Sequence, residues 1–490
     1  MTDTSRNPVS EDDIDTTAAQ GDGRHLLQRL KMPDVYIVLG VIILLAAAAT
    51  YLVPAGKFAR VPGPDGRQTI DPASYERVAQ TPVGLVDLMT AIPAGIIAAA
   101  EVVVFTLMIG GAFMVLRTTG IIEVGVGNLA HRFAKRGVLA IPALMLFFAA
   151  IATVIGTQEL ALVYVPILIP LMIALGFDSV TAAGIALCAT TAGFCTGIIN
   201  PINTGLGQKI AGVELYSGKG LRTIAFFLVT GFAVVMVARY ARRVQRDPSA
   251  SLLAGDPVEQ NKREIYVHDA TAEPAKLNLR QRLATGAVAA FLALLVWGVL
   301  TQGWFMLQMA GLFIVMGIVT GVIGGLSLTR VCEAFNLGFR EVLVGAIIAG
   351  VARAVSVVLE KGQIIDTIVN GLGQAVGGLP GVLAAAGMFF VQFVLSFIVS
   401  SGSGQALVTM PIMAPLADVL GLTRQLSVLA YQLADGIGNI LFPTSGYFMA
   451  VLALAGVPWQ KWLKFYLPIF LGWVVIALGL LTFAQLTGWS

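Results

Sequence analysis

The chain contains one apolar run after another, each close to the length that an α-helix needs to cross a bilayer. The stretch "VYIVLGVIILLAAAATYLV" (35–53) is one example, and roughly 20 apolar residues suffice for a crossing. Charged residues make up 12% of the 490 residues and hydrophobic residues 57%, whereas soluble domains carry about 25% charged residues. The sequence therefore predicts an all-α polytopic membrane protein.

The distribution of charge predicts four segments and their orientation. Residues 1–32 are polar and are predicted to be a disordered cytoplasmic tail, followed by a first transmembrane repeat over 33–244. A polar cytoplasmic linker occupies 245–277, and a second transmembrane repeat runs over 278–490. Basic residues before the first span put the N-terminus in the cytoplasm, so that the turn-rich stretch 54–82 lies outside.

The two halves share a pattern of prolines, glycines and polar interruptions. The stretch "GTQELALVYVPILIPLMIALG" (156–176) aligns with "SGSGQALVTMPIMAPLADVLG" (401–421), and "NPINTG" (200–205) aligns with "FPTSGY" (442–447). One extra predicted span precedes the second stretch, so the two helical pairs enter the membrane from opposite sides. We predict two inverted-topology repeats, each with a re-entrant helical hairpin and a broken transmembrane helix.

Polar residues interrupt the apolar sequence at four places, the two hairpin tips and the two broken helices. Unpaired backbone persists at membrane depth only where protein or a water-filled cavity supplies partners. Half-helix N-termini offer N–H groups to an anion, and unwound carbonyls offer oxygen ligands to a cation. A Gly/Ser kink packed against its neighbours would need no ligand, but four breaks in matching positions favour a site. The predicted substrate- or ion-binding residues are Thr157, Gln158, Glu159, Asn200, Asn203, Thr204, Arg353, Ser401, Ser403, Gln405, Asp435, Asn439, Thr444 and Ser445.

Three ionisable residues, Glu159, Arg353 and Asp435, lie in apolar segments, where a charge costs roughly 2.5 to 3.5 kcal/mol on insertion scales. An ion pair that only fixes helix packing is the structural alternative. If both acids face the cavity, Arg353 neutralises one of them and leaves a negative charge for a proton, a sodium ion or a substrate ammonium. This balance favours amino acids, in particular basic ones, over C4-dicarboxylates. The acids expected at span ends, outside the site, are Glu101, Glu360 and Asp418.

The stretches "GTQELALVYVPILIPL", "SSGSGQALVTMPIMAPLADVLGL" and "YQLADGIGNILFPTSGYFMAVLALAGV" resemble the YfcC/DcuC-like family of the ion transporter superfamily, whose members are C4-dicarboxylate carriers or basic amino acid antiporters. The resemblance covers nearly the whole chain and implies a secondary transporter that forms a homodimer. The Ser-Asn-Thr hairpin signature of sodium symporters is absent, with "TQE" (157–159) and "SGS" (401–403) in its place. The expected coupling ion is a proton, or sodium near Thr157, Asn203, Ser403 and Thr444.

Other classes of protein lack support in the sequence. There is no G-x-x-x-x-G-K-[ST] loop for ATP hydrolysis, and Cys188, Cys195 and Cys332 lack the spacing of a disulfide framework or zinc site. A net charge of +3 gives no reason to expect nucleic acid, and no constellation of residues suggests an enzyme. A channel is the alternative outside the transporter class. We predict a bacterial inner-membrane transporter that moves small carboxylate-bearing metabolites by symport or antiport without a cofactor, with a C4-dicarboxylate carrier coupled to sodium or protons as second candidate.

Overall fold

The protein is mostly helical, as predicted, in a computed structural model that describes residues 35–64, 68–122, 124, 137–271, 277–379 and 381–489. The predicted tail (1–32) lies outside the described residues, so its disorder stays a prediction. The division of the chain at 245–277 into two repeats and a linker likewise stays a prediction.

Eight helices occupy the described part of the first half, and their positions follow the apolar runs of the sequence. The turns between them coincide with glycine-, proline- or charge-rich stretches, which end helices because they interrupt apolar periodicity or backbone hydrogen bonding. The helices are α1 (Val35–Leu52), α2 (Leu85–Ala98), α3 (Ala100–Thr118), α4 (Gly137–Ile155), α5 (Ala161–Ala174), α6 (Ser179–Thr196), α7 (Thr204–Ala211) and α8 (Lys219–Arg246).

Ten further helices follow in the rest of the described chain. The first of them lies in the predicted linker, and the others complete the second half. They are α9 (Pro257–Thr271), α10 (Leu279–Gln302), α11 (Met306–Ile323), α12 (Leu328–Lys361), α13 (Ile365–Gly377), α14 (Gly381–Ile398), α15 (Gly402–Val419), α16 (Arg424–Asn439), α17 (Gly446–Ala455) and α18 (Trp459–Leu486).

The stretch between α1 and α2 adds four short strands to a fold predicted as all-α. Strand β1 (Gly56–Lys57) pairs antiparallel with β4 (Glu76–Arg77), and β2 (Arg60–Pro62) pairs antiparallel with β3 (Gln68–Ile70). Each pair has too few residues to produce the run of alternating apolar residues by which a strand is predicted. The sequence therefore identified this stretch only as a polar, turn-rich loop.

Nine helices of the described chain are long and apolar enough to cross a membrane, namely α1, α3, α4, α6, α8, α10, α11, α12 and α18. This finding confirms the prediction of a multi-pass membrane protein. Helix α12 is longer than its apolar run, because its 34 residues include the polar stretch 328–342. Helix α8 likewise continues through its arginines to Arg246. Long basic side chains reach water from a helix end without breaking the helix.

Two interior helices form the centre of the fold and position the candidate site. Helix α6 is buried over its whole length, and α16 is buried from Gln425 to Asn439. Helix α6 packs against α4, α8 and α16, while α16 also packs against α14 and α15. Both central helices therefore end in the protein interior, and they contact each other across the two halves.

The predicted linker is not a free polar segment, because α9 packs against the ends of two interior helices. The Glu259 carboxylate accepts a hydrogen bond from the backbone N–H of Ser179 at 3.0 Å. Lys262 Nζ donates to the carbonyl of Ala455 at 2.6 Å and to Ser179 Oγ at 3.3 Å. Burial lowers the pKa of the Lys262 ammonium, and the neighbouring Glu259 opposes that effect. The linker thus fastens the start of α6 to the end of α17.

Candidate functional site

A cavity of about 530 Å³ lies where the polar tips of the two halves approach each other. Residues 156–159 of the first half and 400–403 of the second contribute to its lining, together with parts of α2, α3 and α12. Its size falls in the range of pockets that hold small molecules. The polar lining residues are Glu101, Thr157, Gln158, Glu159, Asn203, Arg353, Ser400, Ser401, Ser403, Asn439 and Tyr447.

The first tip is the short turn between α4 and α5. Gly156 follows the last residue of α4 at a φ of 80°, a left-handed conformation that glycine adopts without strain. Thr157 Oγ1 donates a hydrogen bond to the Glu159 carboxylate, which ties the turn together. The turn therefore presents three consecutive polar side chains, Thr157, Gln158 and Glu159, to the cavity.

The second tip lies between α14 and α15, where serine hydroxyl groups form hydrogen bonds with backbone groups at the two helix ends. Ser401 caps α15, because its hydroxyl accepts a hydrogen bond from the N–H of Gly404 at 3.4 Å. Ser356 Oγ donates to the carbonyl of Ile398 at 2.8 Å, at the last residue of α14. This arrangement explains how a helix ends inside apolar sequence, since other helices supply the donors that its carbonyls lose.

Helices α6 and α16 both stop inside the protein and continue as short helices. Helix α6 ends before Gly197, and α7 begins at Thr204 after an irregular stretch. Helix α16 ends at Asn439, and α17 begins at Gly446. Within the described chain, neither N-cap residue, Asn203 for α7 or Ser445 for α17, caps its helix with its own side chain. The helix dipole gives both N-termini a partial positive charge near the cavity, although in α7 the N–H of Gly205 donates to the carbonyl of Asn200 at 2.9 Å.

A chain of buried side chains joins the first tip to the second broken helix. Asn439 Nδ2 donates to Gln158 Oε1 at 3.1 Å and to Asp435 Oδ1 at 3.1 Å. Gln158 Nε2 donates to Thr191 Oγ1 at 3.0 Å and to the carbonyl of Gly436 at 3.1 Å. A change of charge on Asp435 would therefore act on the first tip through two hydrogen bonds.

Asp435 lies directly behind the cavity wall. Its side chain is fully buried, and Oδ2 has no hydrogen-bond partner among the described residues. A Cβ atom added to Gly402, which lines the cavity, would lie 2.7 Å from that oxygen and 3.0 Å from Asn203 Nδ2. The backbone of the second tip thus separates Asp435 from the cavity. A buried carboxylate oxygen without a donor is a natural position for a proton or a small cation.

The charged residues of the lining are Glu101, Glu159 and Arg353. Arg353 pairs with Glu360 at 3.7 Å, and no ion pair joins it to Glu159 or Asp435 in the described part of the chain. Glu101 was expected at the membrane interface, outside the site, but it lines the cavity at the start of α3. Its position near the end of a predicted span could not reveal that α3 begins beside the cavity.

Eight of the fourteen predicted site residues line the cavity, and six do not. Several of the six serve the backbone or a neighbouring helix. Asn200 Oδ1 accepts from the N–H groups of Ile202 and Asn203, Gln405 Nε2 donates to the Gln392 side chain, and Thr444 Oγ1 donates to the carbonyl of Phe397. The eight are Thr157, Gln158, Glu159, Asn203, Arg353, Ser401, Ser403 and Asn439, and the six are Asn200, Thr204, Gln405, Asp435, Thr444 and Ser445.

Three aromatic residues of the lining, Phe194, Phe305 and Tyr447, were missed from the sequence. Tyr447 is buried and lines the cavity. Its position directly after the polar break "FPTSG" could have indicated that it lies near the site. Phe194 lines the cavity from the last turn of α6. An aromatic residue in an apolar run carries no signal of this kind.

Within the described chain, no group of three or more His, Cys, Asp or Glu residues could hold a metal ion. The predicted sodium ligands Thr157, Asn203 and Ser403 do line one cavity, whereas the Thr444 hydroxyl is engaged with the carbonyl of Phe397. The position of a coupling ion near these residues stays a prediction.

The described chain combines nine helices that could cross a membrane with a cavity lined by charged side chains, which is the pattern of a multi-pass membrane transporter. The family model described as "DcuC: C4-dicarboxylate anaerobic carrier" matches residues 32–486. The chain belongs to this family, as the sequence predicted. The protein named "Putative basic amino acid antiporter YfcC" from Escherichia coli (strain K12) is 32% identical over 475 residues, which cover 89% of this chain and 93% of that protein.

Two solved transporter structures are similar to the chain at much greater distance. The YdaH transporter of Alcanivorax borkumensis has a TM-score of 0.39 and 17% identity, with 93% of this chain and 99% of that chain covered. MtrF of Neisseria gonorrhoeae has a TM-score of 0.40 and 16% identity, with 93% of this chain and 96% of that chain covered. These likenesses are too distant to say anything about the site.

Proposed function

We propose that the protein is a secondary active transporter of small carboxylate-bearing metabolites, which opens its cavity alternately to the two sides of the bacterial inner membrane. One observation carries the proposal: the polar tips of both halves, Arg353 and Glu159 line a single cavity. Charged side chains at membrane depth are costly, and they usually mark the path of a substrate or an ion.

An amino acid, in particular a basic one such as arginine or ornithine, is the preferred substrate. Its carboxylate would bind Arg353 and the N–H groups at the start of α15. Its ammonium group or guanidinium would bind Glu159 and Glu101, since opposite charges 4 Å apart gain roughly 4 kcal/mol at an effective dielectric near 20. The lining holds two acids and one cation, and Glu360 already partners that cation. The name of the Escherichia coli relative points to the same class of substrate.

A C4-dicarboxylate is the second candidate, and the description of the matching family favours it. Two substrate carboxylates beside two acidic residues would need more positive charge than Arg353 supplies. Sodium ions or protons would then have to enter with the substrate. The two candidates therefore differ in the number of cations that each transport cycle requires.

The proposed architecture has two inverted repeats, each with a re-entrant hairpin and a broken transmembrane helix. Its support is the order of the elements. A helix pair with a polar tip (α4–α5 or α14–α15) is followed by an interrupted helix (α6–α7 or α16–α17) and then by a 28-residue helix (α8 or α18). In this architecture the N-terminus and the linker lie in the cytoplasm.

Asp435 is the proposed coupling residue, with a proton or sodium as the coupling ion. Its unpartnered oxygen is buried behind Gly402, and its other oxygen is linked through Asn439 to Gln158 at the first tip. Binding of a cation would remove the negative charge that holds these groups in their present arrangement. Ion binding and movement of the tips would thereby be coupled in either symport or antiport.

Counterflow in proteoliposomes tests this function. Vesicles loaded with unlabelled arginine should accumulate labelled arginine, with succinate and malate as the comparison. Asp435→Asn should reduce counterflow about tenfold or more, or remove its dependence on the coupling cation. Asp418→Asn is the matched control and should keep transport, because Asp418 pairs with Arg424 at 2.7 Å and is half exposed.

Two results would contradict the proposed function. Uptake of succinate or malate without uptake of arginine or ornithine, together with intact coupling in Asp435→Asn, would show that the charge argument is wrong. Absence of saturable counterflow, combined with passive ion flux, would instead favour a channel.

A further inference from the structure

Arg222 is a fully buried arginine that the predicted site did not include. It is the fourth residue of α8, and its Nη1 donates to the carbonyl of Thr196, the last residue of α6, at 3.2 Å. Its Nε and Nη2 have no hydrogen-bond partner in the described chain. The guanidinium carbon lies 5.9 Å from the ring of Trp489. No carboxylate among the described residues forms an ion pair with Arg222 within 4.0 Å.

The second half has a neutral donor at the corresponding position. Trp462 is the fourth residue of α18, which has 28 residues like α8 and also follows a short helix. Its Nε1 donates to the carbonyl of Ile440, the residue that caps α16, at 2.8 Å. In each half, the long helix that comes after the short one (α8 or α18) therefore donates a hydrogen bond to the carbonyl end of the broken helix. The donor is a charged guanidinium in the first half and an indole in the second.

The charge of Arg222 is not needed for packing. A buried cation without a carboxylate partner costs free energy, and an apolar side chain of similar volume usually serves a core as well or better. The carbonyl end of a helix carries roughly half a negative charge, which attracts a cation. In membrane transporters such interior carbonyl ends are common ligands of a coupling cation. An arginine side chain stays protonated, so it fills such a position permanently.

We propose that the carbonyl end of α6 is a cation-binding position and that the guanidinium of Arg222 occupies it permanently, in place of a mobile cation. The guanidinium fixes the first broken helix, and its charge repels a mobile cation from that break. A mobile coupling cation would then bind only on the side of Asp435. The coupling role of a mobile cation rests on the proposed transport function, whereas the cation position at α6 can be tested without any transport.

Chemical rescue tests the proposal. Arg222→Ala removes the guanidinium group and leaves space of its shape, so this variant should have a lower melting temperature than the wild type. Guanidinium chloride, at concentrations about a hundredfold below those that unfold proteins, should raise that temperature by about 2 °C or more. Urea has a similar size and shape but no charge, and it should have no such effect. Trp462→Ala, which removes the neutral donor of the second half, should not respond to guanidinium.

Equal responses of Arg222→Ala to guanidinium and urea would overturn the proposal. If Arg222→Ala does not fold, Arg222→Lys and Arg222→Met decide the question. Retention of folded protein with lysine, and its loss with methionine, would support the cation position. A methionine variant with the melting temperature of the wild type would show that Arg222 only fills space. Failure of the wild type to transport arginine would refute the proposed substrate but leave this result unaffected.

Discussion

Replacing Gly402 by alanine tests whether the second tip must pack closely against Asp435. The added Cβ would lie 2.7 Å from Asp435 Oδ2, which is too close for a carbon atom, and 3.0 Å from Asn203 Nδ2, which is a tight contact. Both neighbours are buried and belong to interior elements of different halves. They have little room to retreat, so Gly402→Ala should push the tip away from the second broken helix.

The magnitude follows from a comparison with Gly404, two residues further along the same tip. A Cβ added there would have Ser401 Oγ at 3.2 Å as its nearest neighbour, which a small side-chain adjustment relieves. Both substitutions gain up to about 1 kcal/mol in helix propensity, so this term cancels between them. Overpacking at Gly402 costs about 1 to 3 kcal/mol. The equilibrium constant for packing the tip against Asp435 should therefore be roughly 5- to 150-fold lower in Gly402→Ala than in Gly404→Ala.

Two measurements check this expectation. The melting temperature of Gly402→Ala should lie about 1 to 3 °C below that of Gly404→Ala, and arginine counterflow should fall severalfold. Adding Asp435→Ala should relieve part of the clash, so the double variant should be less destabilised than the sum of the two single variants. Equal melting temperatures and equal counterflow in the two glycine variants would refute the close packing of Gly402 on Asp435.

The tips and the topology give two more expected outcomes. Thr157→Leu and Ser403→Leu should each abolish counterflow in a folded, inserted protein, because a bulky apolar side chain would displace the polar lining of the cavity; wild-type uptake by both would exclude the tips from the site. In a Cys332→Ser background, chosen because Cys332 is the exposed cysteine, Lys57→Cys should react with an impermeant thiol reagent in intact cells and Ser249→Cys should not. Both positions are exposed in the fold, so labelling at position 249 would contradict the proposed orientation.

The positions of the helices were predictable because the bilayer leaves the backbone few choices. A spanning segment must satisfy its own hydrogen bonds, so an apolar run of sufficient length becomes a helix. The same rule made the polar stretches "GTQE" (156–159) and "SSGSGQ" (400–405) conspicuous as places where the helix ends. The strands near Gly56 and Arg60 escaped prediction, because a two- or three-residue strand depends on its partner rather than on its own pattern.

The site could be predicted only in outline. Polar residues at the breaks indicated which segments meet, and eight of the fourteen predicted residues do line the cavity. Nothing local distinguishes Gln405, which turns towards Gln392, from Ser403, which faces the cavity two residues earlier. Arg222 was passed over because it is the second residue of a predicted span, and an arginine at the margin of an apolar run usually reaches water.

By itself the sequence determined that this chain is a helical membrane protein with polar interruptions at matching places in its two halves. Periodicity and hydropathy fix the secondary structure, because they reflect the environment of each segment. Only the tertiary structure decided which side chains meet, such as Gln158 with Asn439 across 281 residues of chain, or Arg353 with Glu360 rather than Glu159. These choices depend on helix rotation and on distances of a few ångströms between segments far apart in sequence, and a hydrogen bond or an ion pair forms only at such short range.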